Sequence, residues 1–129
     1  MNITTKIGAS LAAGALADGL LAPTAATAGG RQEIRTGNCT FGNWKLKVSP
    51  EDGRLEVEYE IDVNRAGQRW RVALFHGGTR MHRGVHVTRG RSGSFTVRDL
   101  ARNTAGGDRF RARAIRFGGG QRCRGSLVF

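Results

Sequence analysis

The chain is short of cysteine, of acidic residues and of long apolar stretches, and each shortage narrows what it can be. It has 2 cysteines, so at most one internal disulfide can form. Its 10 acidic residues stand against 21 lysines and arginines, which leaves a net charge of +11. A domain this basic attracts polyanions unless its charge is paired internally. Nothing after residue 28 is apolar for long enough to predict a membrane span.

A recognisable catalytic motif is also missing. The few serines after residue 28 stand in no nucleophile motif, and neither cysteine is spare if the two are bridged. Glu56, Glu58 and Glu60 share one face of a predicted strand. A catalytic acid/base pair needs one carboxyl with a raised pKa, and no apolar neighbours in the sequence would raise the pKa of these glutamates. The sequence therefore predicts a protein that is not an enzyme and uses no cofactor.

The first 28 residues have the pattern of a cleaved secretory signal. Lys6 precedes an apolar stretch over residues 7–22, and Ala26-Thr27-Ala28 forms a small-x-small cleavage site. Asp18 interrupts the apolar stretch, which disfavours a retained anchor because a spanning helix needs about 20 largely apolar residues. We predict cleavage after Ala28. What remains is a secreted, extracellular chain of residues 29–129, a size typical of one domain.

Export makes a disulfide the simplest use of Cys39 and Cys123. An even cysteine count in an exported chain usually means a bridge, while two free thiols or half of a metal site are the alternatives. The bridge would close a loop of nearly the whole domain. In the chain-entropy model such a loop stabilises the fold by roughly 4 to 5 kcal/mol.

After the leader, apolar residues alternate with polar ones at period 2, and turn residues interrupt the alternation at short intervals. About seven short strands follow from this pattern, with apolar rows in residues 44–48, 55–61, 70–74, 95–97, 110–114 and 123–129 and a looser segment over residues 79–88. Strands of this number, with turn residues between them, predict an all-β antiparallel sandwich.

Two segments resemble immunoglobulin-like domains. Residues 108–114 are similar to the penultimate strand of that fold, with Phe110 where the corner tyrosine stands and Ala112 where the core cysteine stands. Trp70 resembles the buried tryptophan of the third strand. The resemblance implies an immunoglobulin-like sandwich of about seven strands. The sequence departs from that fold in two ways. Phe110 has no hydroxyl for the corner hydrogen bond, and the two cysteines would tie an N-terminal arm to the edge of a sheet and would not form the core disulfide.

The chain is also similar to small exported actinobacterial proteins. The similarity covers about residues 31–129 and rests on Cys39, Asp52-Gly53-Arg54, Glu56-Val57-Glu58, Asn64-Arg65, Gln68-Arg69-Trp70 and Ser92-Gly93-Ser94-Phe95. These pieces imply a family without implying an activity, and a fold alone does not supply a function.

Arginine occupies alternate positions in three of the predicted strands. A strand sends alternate side chains to opposite faces, so an apolar row is buried while the arginines line the other face. With immunoglobulin topology the three strands would adjoin and bring seven arginines onto one face: Arg69, Arg71, Arg109, Arg111, Arg113, Arg122 and Arg124. Like charges opposite one another are destabilising, so we expect such a face to bind an anion. Arginine suits phosphate and carboxylate because its planar fork donates two parallel hydrogen bonds.

A hairpin between residues 55–63 and 68–76 is an equally supported alternative for the first of these strands. Its register would set Asp62 beside Arg69 and Glu60 beside Arg71, two cross-strand ion pairs that stabilise by roughly 0.2 to 1 kcal/mol each. The other two arginine strands have too few acidic partners in either arrangement.

The function that follows is an exported binding module for polyanions, such as a cell-wall polymer, an acidic polysaccharide or a nucleic-acid backbone. The aromatic side chains are expected to alternate inward, with Phe75 as the exception, so any nucleic-acid contact would be to the backbone and lost at high salt. A protein-binding module for adhesion or protease inhibition, presenting arginine on loop 89–93, is the alternative, although flexible glycines disfavour inhibition. A secreted sandwich with no dedicated ligand is the third hypothesis.

His76, His82 and His86 fall within eleven residues and are weak candidates for a copper or zinc site. His82 and His86 are four residues apart and so lie on one face of an unbroken strand. Gly84 between them would bend that strand, and the segment contains no carboxylate, so the sequence predicts no metal site.

Overall fold

The structure is a computed structural model that describes residues 31–129; the predicted signal segment, residues 1–28, lies outside the described residues. Eight strands make up the regular secondary structure of this range: β1 Glu33–Cys39, β2 Gly42–Glu51, β3 Arg54–Asp62, β4 Arg69–His76, β5 Thr79–Val87, β6 Ser94–Arg102, β7 Arg109–Arg116 and β8 Arg122–Val128. Across residues 31–129 no helix occurs that is long and apolar enough to cross a membrane.

The strands form two antiparallel four-stranded sheets that make a β-sandwich. Sheet one has the order β1-β2-β3-β6, and sheet two has the order β5-β4-β7-β8. The predicted all-β antiparallel class is confirmed. The hairpin between residues 55–63 and 68–76 is wrong, since β3 pairs with β2 and β6 whereas β4 pairs with β5 and β7. The chain changes sheets between β3 and β4, so the apolar rows of both strands are buried in the core.

The inward residues of the two sheets make one apolar core. Sheet one supplies Leu46, Val48, Leu55, Val57, Tyr59, Ile61, Val97 and Ala101. Sheet two supplies Trp70, Val72, Leu74, Phe110, Ala112, Ala114, Cys123 and Leu127. Because strand residues alternate between faces, this core directs odd-numbered residues of β4 and β7 and even-numbered residues of β8 outward.

Strand β1 is missing from the sequence prediction. Its one large aliphatic residue, Ile34, is 42% exposed, so no alternation of buried side chains marks the segment. The strand forms through backbone pairing with β2 at the edge of sheet one. Cys39 therefore ends a strand and does not lie in an arm before the first strand, as the sequence had led us to expect.

The disulfide between Cys39 and Cys123, predicted from the cysteine count, is confirmed. It joins edge strand β1 of sheet one to edge strand β8 of sheet two. A buried hydrogen bond crosses the sandwich at the same residue, since the Tyr59 hydroxyl in β3 donates to the Cys123 carbonyl at 2.7 Å. Burial raises the pKa of Tyr59, so the hydroxyl keeps its proton. Both links hold β8 against sheet one.

We expect the C39S/C123S double variant to lose about 4 kcal/mol of unfolding free energy, because the bridge joins residues 84 apart and restricts the unfolded chain. Urea unfolding followed by tryptophan fluorescence measures the difference from the oxidised wild type. Reduced wild-type protein is the control and should match the double variant. A loss below about 1 kcal/mol would contradict this account of the bridge.

Candidate functional site

The two sheets differ sharply in charge. The strands of sheet two contain ten arginines and no aspartate or glutamate, whereas those of sheet one contain six basic and seven acidic residues. Ion pairs neutralise part of sheet one: Lys45 lies 3.9 Å from Glu60, while Lys47 and Arg98 lie 3.7 and 3.4 Å from Glu58. Sheet one is therefore close to neutral, and the excess positive charge of the strands lies in sheet two.

The acidic row of β3 shows how these pairs act. Burial alone would raise the pKa of Glu58, but its contact with Glu56 and the cations Lys47 and Arg98 hold that pKa below its ordinary value. The pKa of Glu56 is raised by slight desolvation and by the neighbouring Glu58 carboxylate. The sequence offered no apolar neighbour that would raise a pKa here, and the pKa of Glu56 is raised by slight desolvation and a second carboxylate without an apolar pocket.

Nine of the ten arginines of sheet two are exposed on its outward side: Arg69, Arg71, Arg80, Arg83, Arg109, Arg111, Arg113, Arg122 and Arg124. We call this surface the arginine face. The seven arginines named from the sequence are all on it, and their three strands lie side by side in the order β4-β7-β8. Among residues 31–129, none of the nine lies in an ion pair with a carboxylate.

Arg80 and Arg83, in β5, are the two members that sequence reasoning missed. The pairing of β5 with β4 shifts register between Leu74 and Phe75, so residues on the two sides of the shift do not keep one alternation. A bulge of this kind redirects side chains. It brings Arg80 opposite Phe75 and leaves Arg83 opposite Ala73.

Strand pairing arranges the arginine face in rows. One row runs across all four strands as Arg83, Ala73, Arg113 and Arg124. Arg113 and Arg124 are directly opposite each other on neighbouring strands, a placement that destabilises a sheet when the charges are alike. An anion lying over this row would remove the repulsion.

Phe75 lies on the arginine face among these side chains, as the sequence suggested. The guanidinium carbons of Arg111 and Arg113 lie 4.8 and 5.5 Å from the centre of its ring. Cation–π contacts of this kind are worth about 0.5 to 1 kcal/mol at exposed sites. They restrict the two arginines to positions over the ring.

Phe117 supports a second pair of arginines. Arg69 and Arg71 place their guanidinium carbons 4.6 and 4.8 Å from its ring centre. The expectation that aromatics other than Phe75 point inward is wrong for this residue, because Phe117 continues the odd-numbered alternation of β7 past the strand's end. Extending that alternation three residues beyond Ala114 would have found it.

A groove of about 660 Å³ leads from the arginine face over the edge of the sandwich at β8. Phe75, Arg111 and Arg124 line one side, and Arg35 and Trp44 of sheet one line the other. The groove thus extends the positively charged surface onto β1.

The three histidines separate into two places. His76 Nε2 lies 2.7 Å from Asp108 Oδ1, and its ring stacks on Phe110 with centroids 4.6 Å apart. His82 and His86 lie together on β5, with their Nε2 atoms 3.2 Å apart. Burial, together with the neighbouring His82, lowers the pKa of His86.

The His82 and His86 pair also differs from the sequence expectation. The strand runs through Gly84 in register, and its irregularity lies opposite Leu74 and Phe75 instead. Sheet one supplies a carboxylate from outside the segment, since Asp99 Oδ2 lies 3.9 Å from His82 Nδ1. No group of three or more His, Cys, Asp or Glu side chains that could hold a metal ion occurs in residues 31–129.

Loop 89–93, the alternative protein-binding segment, is a tight turn. Arg89 and Ser94 exchange backbone hydrogen bonds of 2.9 and 3.1 Å. Gly93 has a φ of 65° and packs so closely on the backbone of Arg65 that a Cβ there would overlap it. The glycine that suggested flexibility thus allows a close approach that holds the loop in place.

Asp108 anchors the loop that precedes β7. Its buried carboxylate accepts hydrogen bonds from the Thr104 hydroxyl at 2.6 Å and the Thr104 backbone N–H at 3.3 Å, and it also contacts His76. Burial alone would raise the pKa of Asp108, but these hydrogen bonds hold it below its ordinary value.

We expect Asp108 to make the fold sensitive to acid. A carboxyl whose pKa is lower in the folded state stabilises the protein above its unfolded-state pKa, and this contribution is lost as pH falls through the folded value. The free energy of unfolding should therefore drop below about pH 4, and Asp108→Asn should flatten that drop. Urea unfolding across this range measures it, with the exposed turn variant Asp52→Asn as control. Parallel pH curves for wild type and Asp108→Asn would show that Asp108 has no such role.

Comparison with protein-family models, with curated proteins and with solved structures found no match for the chain. The resemblances to immunoglobulin-like domains and to exported actinobacterial proteins therefore stay predictions, and the geometry described above is the basis for assigning a function.

Proposed function

We propose that this protein is an exported, non-enzymatic module that binds anionic polymers through its arginine face. Cell-wall polymers, acidic polysaccharides and nucleic-acid backbones are the ligand class. One observation carries the proposal: nine outward arginines on four adjacent strands have no carboxylate partner within residues 31–129.

The separation of charge between the sheets supports this function. The pairs formed by Lys45, Lys47 and Arg98 show that this chain neutralises cations by placing glutamates on neighbouring strands. Sheet two has no such partners in its strands, so its charges remain available to a ligand. A polyanion bound there would release its condensed counterions, which drives association at low salt.

The two phenylalanines of the arginine face add a second argument. Phe75 and Phe117 each hold two guanidinium groups over one ring. Side chains that are ordered before binding lose less conformational entropy when they bind, so the same contacts give a higher affinity. The planar guanidinium edges remain able to donate paired hydrogen bonds to phosphate or carboxylate oxygens.

We also propose that the sandwich is immunoglobulin-like. Its strand orders support this, because β2-β3-β6 corresponds to strands A, B and E of that fold and β5-β4-β7-β8 corresponds to C′, C, F and G. Strand β1 would be an addition at the edge next to strand A. The fold carries no function of its own, so the binding proposal depends on the surface.

A second candidate function is protein binding through the loop with Arg91, and the backbone hydrogen bonds that close this turn favour it. Incubation with trypsin separates the two. Slow cleavage with loss of trypsin activity would support an inhibitor, and rapid cleavage after Arg91 without loss of activity would overturn it.

We expect R111Q/R113Q/R124Q to weaken binding to heparin and to duplex DNA far more than a matched variant of sheet one. Each phosphate contact contributes about 0.9 to the slope of log affinity against log salt, so the triple variant should lower that slope by about 2.7 for DNA. Fluorescence anisotropy over a series of salt concentrations measures it.

The control for that experiment is R54Q/R98Q/R102Q, which removes three exposed arginines from sheet one and changes net charge equally. It should leave most of the affinity and of the salt dependence in place. Equal losses in the two variants would mean that net charge acts without a binding face. No wild-type binding at low salt would overturn the proposed function.

A further inference from the structure

The arginine face has a second, smaller concavity besides the groove at β8. A depression of about 200 Å³ lies above Ala73, and its other lining residues are Arg71, Arg80, Arg83, Arg113 and Ile115. Ala73 points outward, yet it is only 5% exposed, since the long side chains around it cover it. We call this depression the Ala73 seat.

Strand pairing explains why the arginines surround this position. Ala73 lies in the middle of a row, with Arg83 opposite it on β5 and Arg113 opposite it on β7. Neighbouring strands are about 4.8 Å apart, so the backbones of Arg83 and Arg113 are about 9.6 Å apart across the alanine. Arg71 lies two residues away on the same side of β4. A methyl group at this point leaves a floor that any larger side chain would fill.

The seat concentrates positive charge without compensation. Within residues 31–129, none of its four arginines forms an ion pair with a carboxylate. Two of them are positioned by aromatic rings, Arg71 at 4.8 Å from the Phe117 centroid and Arg113 at 5.5 Å from that of Phe75. Four arginines therefore line a small concavity that has no anion among its lining residues, and aromatic rings position two of their guanidinium groups.

The shape of the seat favours one class of anion. A carboxylate presents two oxygens in a plane and is matched by the fork of a single arginine. A tetrahedral oxyanion directs its oxygens several ways at once, so it can accept hydrogen bonds from donors on three strands. A phosphate group also carries more charge than a carboxylate when it is a monoester.

We propose that the Ala73 seat binds one phosphate group, free or as an ester carried on a polymer. This inference rests on the proposed function and deepens it, because it gives the arginine face a discrete contact for phosphate in addition to its overall charge. A bound polymer would then be held at a defined point along its length.

The test compares Ala73→Leu, which fills the floor without changing charge, with Ser126→Leu, which adds similar bulk to the outward side of β8 beyond the seat. Calorimetric titration with tripolyphosphate, at a salt concentration that abolishes DNA binding, should give one site in the wild type. Ala73→Leu should weaken binding at that site at least about tenfold, because an anion kept off the floor loses at least one hydrogen bond to a charged group. Ser126→Leu should change the affinity less than about twofold. Unchanged binding in Ala73→Leu would overturn the seat.

A second matched pair keeps the test decisive if Ala73→Leu does not fold. Arg83→Gln removes a guanidinium from the seat, whereas Arg122→Gln removes one from the same face outside it, with equal change in net charge. Tripolyphosphate affinity should fall at least about fivefold further in Arg83→Gln than in Arg122→Gln, while heparin elution should shift equally in both. Equal loss of tripolyphosphate affinity would contradict the seat.

Titration with other small anions, together with retention on heparin, distinguishes the possible results. Tricarballylate, a tricarboxylate, should bind much more weakly than tripolyphosphate, and equal binding would overturn the preference for a tetrahedral group. Comparable affinity for inorganic phosphate and glycerol phosphate would support recognition of the phosphate itself, while preference for the ester would support a polymer-borne group. Retention on heparin with no tripolyphosphate site would overturn the seat and leave the proposed function standing. No retention at low salt would overturn the proposed function.

Discussion

Each sheet buries one side against the other sheet, and this burial fixes the direction of the remaining strand side chains. Strand residues alternate between two faces, so once Trp70, Val72 and Phe110 are placed in the core, the residues between them must point to solvent. The seven arginines of β4, β7 and β8 that alternate with these core residues have no other direction available. Two links at Cys123, the disulfide and the Tyr59 hydrogen bond, keep the sheets closed at the edge where β8 meets sheet one.

That constraint places the charges, but it does not balance them. Sheet one balances most of its own, since Glu58 and Glu60 lie opposite lysines and an arginine on neighbouring strands, although Arg54 lies opposite Arg102. Sheet two sets Arg113 opposite Arg124 and gains only cation–π contacts with its phenylalanines. A fold of marginal stability retains such repulsion only when core packing and cross-links offset it. The arginine face thus departs from the usual pairing of opposite charges across neighbouring strands.

Small local irregularities give that face its detail. The register shift beside Phe75 places Arg80 on the same side of β5 as Arg83, and without these two arginines Ala73 would be flanked on one side only. Phe117 lies just beyond the end of β7 and still keeps the outward direction of that strand. A bulge and a strand end therefore turn a row of charges into a surface with a concavity and ordered side chains.

The order of amino acids was enough to predict the all-β class, the inward rows, the pairing of the cysteines and the outward direction of seven arginines. All of these follow from a period of two residues or from a count of two cysteines, which are local or arithmetic properties of the chain. Tertiary structure alone decided which strands adjoin, because two strands with equally good apolar rows can pair or can face each other across a core. The hairpin of residues 55–63 with 68–76, the strand status of Cys39 and the separation of His76 from the other histidines all depended on that choice. The presence of Arg80 and Arg83 together on the arginine face also depended on strand pairing. The partner strand sets the register shift between them, and the local alternation of β5 does not reveal it.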